Sequence, residues 1–344
     1  MRVKKIGIIS LSSGVLGEDF VKHEMKIGVD RLAEYDIEIE FLPNALKGME
    51  YIKEHPEKRA EDLIAAFEDD SIDMILCAIG GEDTYKLLPY LFENDELKRV
   101  AKQKIFLGFS DTTMNHFMLN KVGIKSFYGQ AFLPDICELS NGMLPYSQKY
   151  FDELINTGTI KEVHPSEIWY EERKDFSEGS IGVSMKSHNN AGFELLCGDP
   201  IFEGEILGGC INTIYDIFDN SRFEDSVSLC RKYRLFPTIE DWKNKILLLE
   251  TSEEKPSPDL YRKMIRTLKL YGIFDVINGV IVGKPQDEVY YEEYKNILLD
   301  EISDAKISIV YNVNIGHATP RCIIPFGLKA KVDVKEQVIK FISN

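Results

Sequence analysis

The chain predicts an α/β architecture: a parallel-sheet domain at the amino terminus, then a second mixed α/β domain with a strand-rich carboxy terminus. Three observations carry this. Short apolar runs alternate with amphipathic stretches through Tyr128, the texture breaks near Pro165, and glycine-punctuated strands and helices then resume and end in strands alone. At 344 residues the chain is long enough to bury a full core in each of two domains.

In order, Ile6–Ile9, Ile37–Leu42, Ile72–Ile79, Ile105–Phe109 and the short Ser126–Tyr128 read as strands because each is an apolar run bounded by polar or turn-forming residues. Phe20–Tyr35, Pro56–Asp69, Thr84–Phe92 and Thr112–Lys121 read as helices between them, with Pro56 suited to a first turn. Such βαβα order implies a mostly parallel sheet with both faces covered, and ligands in that architecture sit beyond the carboxyl ends of the strands. Three of those ends carry suggestive loops: Ser12-Ser13-Gly14, Gly80-Gly81-Glu82-Asp83 and the turn at Ser110.

Residues 1–165 form the expected first domain, and 166–190, polar around Trp169-Tyr170, a linker or mobile flap. Residues 191–344 form the second domain. Its expected strands are Glu194–Cys197, Glu205–Leu207, Lys245–Leu249, Val280–Val282, Ile307–Tyr311 and a terminal set from Cys322 to Ile342. Its expected helices follow Gly208-Gly209 and span Asp259–Tyr271 and a stretch near Tyr291–Ile302. No internal repeat or low-complexity tract is present.

Hydrophobic residues at 44% and charged residues at 28% fit a soluble globular protein. A net charge of −16 argues against nucleic acid and anionic membrane surfaces as partners, since both call for a basic face. No apolar run approaches the ~20 residues of a membrane span, and the amino terminus reads as a first strand rather than a signal segment. The six cysteines are scattered without a C-x-x-C pair, so reduced thiols in a cytoplasm are expected. The six histidines are equally dispersed, and no metal-ligand spacing occurs.

The most informative stretch is Lys104-Ile105-Phe106-Leu107-Gly108-Phe109-Ser110-Asp111-Thr112-Thr113. An apolar strand runs into Gly-x-Ser and then into a helix-opening Asp-Thr-Thr, which is how a nucleophilic serine is presented beside unpaired backbone N–H groups. The same pattern fits an ordinary junction with a capping serine, and Thr112 stands where a G-x-S-x-G elbow has its second glycine. Glu250 ends the apolar run Lys245–Leu249, where it is either a partly desolvated acid facing a cleft or a solvated acid in an acid-rich chain. His317 lies between small residues in Asn314-Ile315-Gly316-His317-Ala318-Thr319-Pro320; alone it is an ordinary packed histidine. Together the three give Ser, acid, His, the chain order of one known catalytic triad.

These motifs, with Gly80-Gly81, Glu203-Gly204 before Gly208-Gly209, Leu247-Leu248-Leu249-Glu250-Thr251 and Gly316-His317, resemble the ordered motifs of the LD-carboxypeptidase family of serine peptidases, which includes the microcin C self-immunity peptidases. The resemblance covers essentially the whole chain. It implies a Rossmann-like first domain bearing Ser110, a second domain supplying Glu250 and His317, and an oxyanion hole from the N–H groups of Gly81 and Asp111. It requires no metal or organic cofactor.

The sequence departs from some relatives at Cys210, which stands where they have Asn, and this weakens any polar contact carried over to that point. The long span between Ser110 and Glu250 looks like the immunity branch, in which an aromatic flap is expected to stack on a nucleobase. Trp169 is the candidate and Phe176 the fallback, with an interface anchor as the alternative reading of Trp169. Lys284 and Arg321 are candidates for a substrate carboxylate or phosphate, or else surface charges. The expected activity is hydrolysis of the amide in a microcin C-type peptidyl- or aminoacyl-nucleotide. The alternatives are a muropeptide LD-carboxypeptidase of cell-wall recycling, and a non-catalytic small-molecule binder. The expected partner is that small peptide or nucleotide substrate, with a homodimer left open.

Overall fold

The structure is a computed structural model that describes residues 2–302 and 307–342. Six strands form the first sheet, in the order Ile324–Phe326, Ser126–Tyr128, Ile105–Gly108, Met74–Cys77, Lys5–Ile9 and Glu38–Phe41. The five from the first part of the chain run parallel, and Ile324–Phe326 closes the edge antiparallel to Ser126–Tyr128. Every residue of Met74–Cys77 is buried, as expected for a strand covered on both faces.

The second sheet has eight strands, in the order Glu162–Val163, Val338–Ile342, Lys329–Asp333, Ile201–Cys210, Ile246–Glu250, Gly279–Gly283, Ser308–Val313 and Glu194–Cys197. Ile201–Cys210 is its hub: its first half pairs antiparallel with Lys329–Asp333, and its second half pairs parallel with Ile246–Glu250. That strand is longer than the expected Glu205–Leu207, because its two halves find different partners. One apolar core runs through both sheets.

Local chemistry explains the helices that cover them. Pro258–Tyr271 starts with a Ser257 side chain accepting from the Leu260 N–H at 3.3 Å and with Pro258 in the first turn. It buries Tyr261, Met264, Ile265 and Leu268, an i, i+3, i+4, i+7 stripe, and stops at Gly272. Pro56–Glu68 likewise buries Ala60, Leu63, Ala66 and Phe67. The expected helix Phe20–Tyr35 begins only at Lys22, after two tight turns, and Thr84–Phe92 divides into a tight turn and the short helix Leu88–Phe92. The helix Pro145–Thr157 was not anticipated.

The expected linker 166–190 contains a two-stranded ribbon, Ile168–Tyr170 paired with Ser187–Asn189. The ribbon is tied to the loop after His317, where the Tyr170 N–H donates to Thr319 O at 2.8 Å. The two parts of the chain also exchange strands. Ile324–Phe326, from the expected second domain, belongs to the first sheet, and Glu162–Val163, from the expected first domain, edges the second. These exchanges hold the carboxyl end of Ile105–Gly108 against the carboxyl end of Ile246–Glu250. Among the described residues no helix is long and apolar enough to cross a membrane.

Candidate active site

Ser110 follows directly on the strand Ile105–Gly108 and its connecting Phe109, with φ +65°, a left-handed backbone that costs a non-glycine residue about 1–2 kcal/mol. Surrounding bonds hold it there. Its N–H donates to the Tyr128 hydroxyl at 3.2 Å, and its carbonyl accepts from Thr113 Oγ1 at 2.7 Å. Gly80 passes so close that a Cβ there would lie 2.6 Å from Ser110 Cβ and 2.7 Å from Oγ, so only glycine fits.

The Asp111 side chain binds the three strand-end loops together. Its Oδ2 accepts from Ser12 Oγ at 2.5 Å, the Thr84 N–H at 2.9 Å and Thr84 Oγ1 at 2.6 Å. Burial pushes the Asp111 carboxyl above its ordinary range in spite of those donors. The sequence singled out all three loops, but nothing in it marked the side chain that joins them.

His317 Nε2 lies 3.1 Å from Ser110 Oγ, and His317 Nδ1 lies 2.7 Å from Glu250 Oε2. The His317 backbone N–H also donates to Oε2, at 3.2 Å. Glu250 is 1% exposed, and Tyr128 donates to its other oxygen, Oε1, at 2.6 Å. Gly316, at φ +84°, brings the loop onto Glu250, where a Cβ would lie 2.3 Å from Oε2. Burial alone would lower the His317 pKa. The charge and hydrogen bond of Glu250, joined by Glu253, outweigh it and raise it to about 9. Such a chain of contacts lets Oγ pass its proton to Nε2 while the buried carboxylate fixes the imidazole tautomer.

Glu253, three residues beyond Glu250, places Oε2 2.9 Å from His317 Nε2. Its bond to His317 holds its pKa down to about 2, against burial. Neither Glu253 nor Tyr128 was picked out in the sequence. Tyr128 had one usable signal, since it ends a strand adjacent to the one that leads to Ser110.

A cavity of about 300 Å³ opens in front of Ser110, and Gly81, Phe176, Arg173, Glu253, His317 and Arg321 line it. Arg321 is buried at its wall, with its guanidinium 4.5 Å over the Phe109 ring and Nη2 donating to Thr319 Oγ1 at 3.1 Å. Its Nε and Nη1 have no hydrogen-bond partner, and the nearest acid, Asp135, is 3.5 Å from Nη1 with its pKa pushed up by burial to about 6.

Two expected contact residues lie elsewhere. Trp169 is buried, stacked on His188 at 4.4 Å and 19°, with Lys284 Nζ 5.0 Å from its ring centre. The reason is register: Trp169 and His188 are directly paired across the ribbon. Phe176 is the half-exposed aromatic residue that stands at the cavity. Lys284 is neither a surface charge nor a lining residue. Its buried ammonium binds Glu288, Asn312 Oδ1 at 3.2 Å and Asn190 Oδ1 at 3.4 Å, and burial lowers its pKa.

Cys210, Glu250 and His317 offer ligand atoms within 4.8 Å of one another. The Glu250 and His317 atoms already face each other as hydrogen-bond partners, and burial beside Glu250 keeps Cys210 a thiol, a poor set of donors for a metal ion.

Residues 6–129 match the LD-carboxypeptidase N-terminal domain and residues 203–332 the LD-carboxypeptidase C-terminal domain. Among solved structures, the MccF-like protein from Streptococcus pneumoniae in complex with AMP superposes with a TM-score of 0.98 at 64% identity, covering 99% of each chain. The microcin C7 self-immunity protein MccF of Escherichia coli is 25% identical over 287 residues, 80% of this chain and 75% of the relative. A "Probable murein peptide carboxypeptidase" of Bacillus subtilis is 24% identical over 305 residues, 86% of this chain and 80% of the relative. With the two family domains matched in chain order over most of its residues, this protein belongs to the LD-carboxypeptidase family.

Proposed function

We propose that the chain is a serine hydrolase that cleaves the amide bond of an aminoacyl- or peptidyl-nucleotide of the microcin C type. The observation that carries this is the contact chain Ser110 Oγ, His317 Nε2, His317 Nδ1, Glu250 Oε2 at the floor of the cavity. His317 takes the Ser110 proton, and Glu250 holds the imidazole and stabilises its protonated form. The N–H groups of Gly81 and Asp111 receive the tetrahedral oxyanion, and water then hydrolyses the acyl-enzyme. No step calls on a metal or an organic cofactor.

The nucleotide preference is supported by the Streptococcus pneumoniae structure, which holds AMP in a fold that superposes over almost the full chain. Phe176 is the aromatic residue suited to stack on the base, and Arg321 offers unpartnered N–H groups to a carboxylate or phosphate. A second reading, removal of a terminal D-amino acid from muropeptides, is favoured by the Bacillus subtilis relative and by the same Arg321, which suits a free terminal carboxylate.

The deciding experiment incubates an aminoacyl-phosphoramidate nucleotide and an L,D-peptide side by side with parent and Ser110→Ala, read by mass spectrometry. Cleavage of the nucleotide is expected, with a loss on the order of 10³-fold or more in Ser110→Ala. Cleavage of the L,D-peptide alone transfers the assignment to the second reading. Parent-rate turnover by Ser110→Ala removes the nucleophile assignment. A fluorophosphonate that fails to label Ser110 leaves a binding protein.

A further inference from the structure

One ring nitrogen cannot serve two oxygens at once, yet His317 Nε2 has Ser110 Oγ at 3.1 Å and Glu253 Oε2 at 2.9 Å. If Nε2 carries a proton, the Glu253 carboxylate holds it. If Nε2 is to act as a base, its lone pair must face Ser110, and an unpaired carboxylate beside that lone pair is repulsive. The groups that face His317 are Glu250, Glu253, Ser110 and the Cys210 thiol, which burial keeps neutral, with Tyr128 acting through Glu250 and Phe109 edge-on to the ring. No cation is among them. Glu253 therefore keeps His317 protonated until something positive takes its place.

Among the described residues neither cation of the cavity wall forms an ion pair with Glu253. Arg173 is paired with Glu138 and Arg321 faces Asp135. Lys255, beyond the wall, is held by Glu172 and Asp287. Arg222, the nearest further cation, is shared among Glu82, Asp216 and Glu254. Among the described residues the direct contact of the lining carboxylate Glu253 is His317, with the charge of Arg222 acting on it from farther off, and its side chain is more than half exposed to the cavity. An ammonium on the carbon next to the scissile carbonyl lies two bonds from the atom that Ser110 attacks, within reach of a carboxylate that shares a nitrogen with Ser110.

We propose that Glu253 is the specificity residue that selects substrates with a free ammonium group beside the scissile carbonyl, and that it releases His317 when it binds that group. The proposal rests on Ser110 and His317 acting as an acyl-transfer pair. When the ammonium pairs with Glu253, the Nε2 proton passes to water and the freed lone pair accepts the Ser110 hydroxyl proton. The Oγ–C bond then forms, and the same proton goes on to the leaving nitrogen as the C–N bond breaks. Substrates acylated on that amine, peptidyl-nucleotides and muropeptides among them, lack the charge that displaces Glu253 and are the slower substrates, so within the proposed function the aminoacyl-nucleotide is the preferred one.

The test compares two compounds that differ only in N-acetylation of that amine, in whichever substrate class the parent turns over, on parent and Glu253→Gln. Fluorophosphonate labelling of Ser110 is followed across pH in both proteins. The parent is expected to favour the free amine by tenfold or more in kcat/KM, and Glu253→Gln to bring the ratio within about threefold of unity. Labelling, which needs no ammonium, is expected to be faster at pH 7 in Glu253→Gln, with its rise moved to lower pH. A free-amine preference that survives in Glu253→Gln overturns the selectivity, and an unmoved labelling profile overturns the release of His317. Absence of labelling in the parent at every pH removes the acyl-transfer pair instead, and the proposal with it.

Discussion

Replacing Tyr128 with phenylalanine removes a single oxygen from the point where the two sheets meet. That oxygen donates to Glu250 Oε1 at 2.6 Å and accepts the Ser110 N–H at 3.2 Å, with Thr113 Oγ1 3.5 Å away. Glu250 is 1% exposed, so no water replaces the lost donor. A hydrogen bond to a charged group contributes about 1.5–3 kcal/mol, and a buried N–H left without an acceptor costs about 1–3 kcal/mol. Because both effects arise at one oxygen, the expected loss of folding stability is about 2–4 kcal/mol, read as a shift of the urea midpoint. Activity should fall by about 10- to 100-fold in kcat, because the carboxylate that orients His317 and the strained turn at Ser110 both lose an anchor. A third readout separates catalysis from scaffolding. With one donor gone, Glu250 turns more negative charge on His317, stabilises the imidazolium and moves the rise of kcat/KM to higher pH. A variant that loses stability yet keeps the parent's kcat and pH profile would refute the positioning role. One that loses neither would refute the hydrogen bond.

Three other outcomes follow from the same geometry. Phe176→Ala should leave stability unchanged and weaken AMP binding by ~1–3 kcal/mol in calorimetry, the range of base–aromatic stacking, whereas Trp169→Ala should cost about 3 kcal/mol of stability by emptying the space between His188 and Lys284; unchanged AMP affinity in Phe176→Ala removes it from the site. His317, raised to about 9 from an ordinary 6.5, stabilises the fold fully below about pH 6.5, and that contribution is lost as pH rises through about 9. The free base appears over the same interval, so activity of the resting enzyme should climb while the urea midpoint falls; a midpoint that is flat from pH 6 to 10 contradicts the shift.

The sequence by itself determined what local pattern can determine. Periodicity placed most strands of both sheets to within a residue or two, because a strand buried on both faces must be a continuous apolar run. It missed the length of Ile201–Cys210, whose ends are set by two different partners, and the ribbon in 166–190, whose two strands are only three residues each and are fixed by their mutual pairing. Gly-x-Ser-Asp at a strand end, an acid closing an apolar run and Gly-His in a small-residue loop marked Ser110, Glu250 and His317, since each occupies a special backbone position with its own residue signature. Tertiary structure alone decided what those side chains touch. Trp169 and Phe176 are both aromatic residues in a polar segment, and only the pairing of Ile168–Tyr170 with Ser187–Asn189 turns one onto His188 and leaves the other at the cavity. Lys284 and Arg321 are both lone cations near strand ends, and only the packing around them buries one among Glu288, Asn190 and Asn312 and aims the other at the cleft. Tyr128, Glu253 and the Asp111 carboxylate act through partners far away in the chain. Such contacts depend on how two sheets are brought together, and short-range sequence carries no record of that distance.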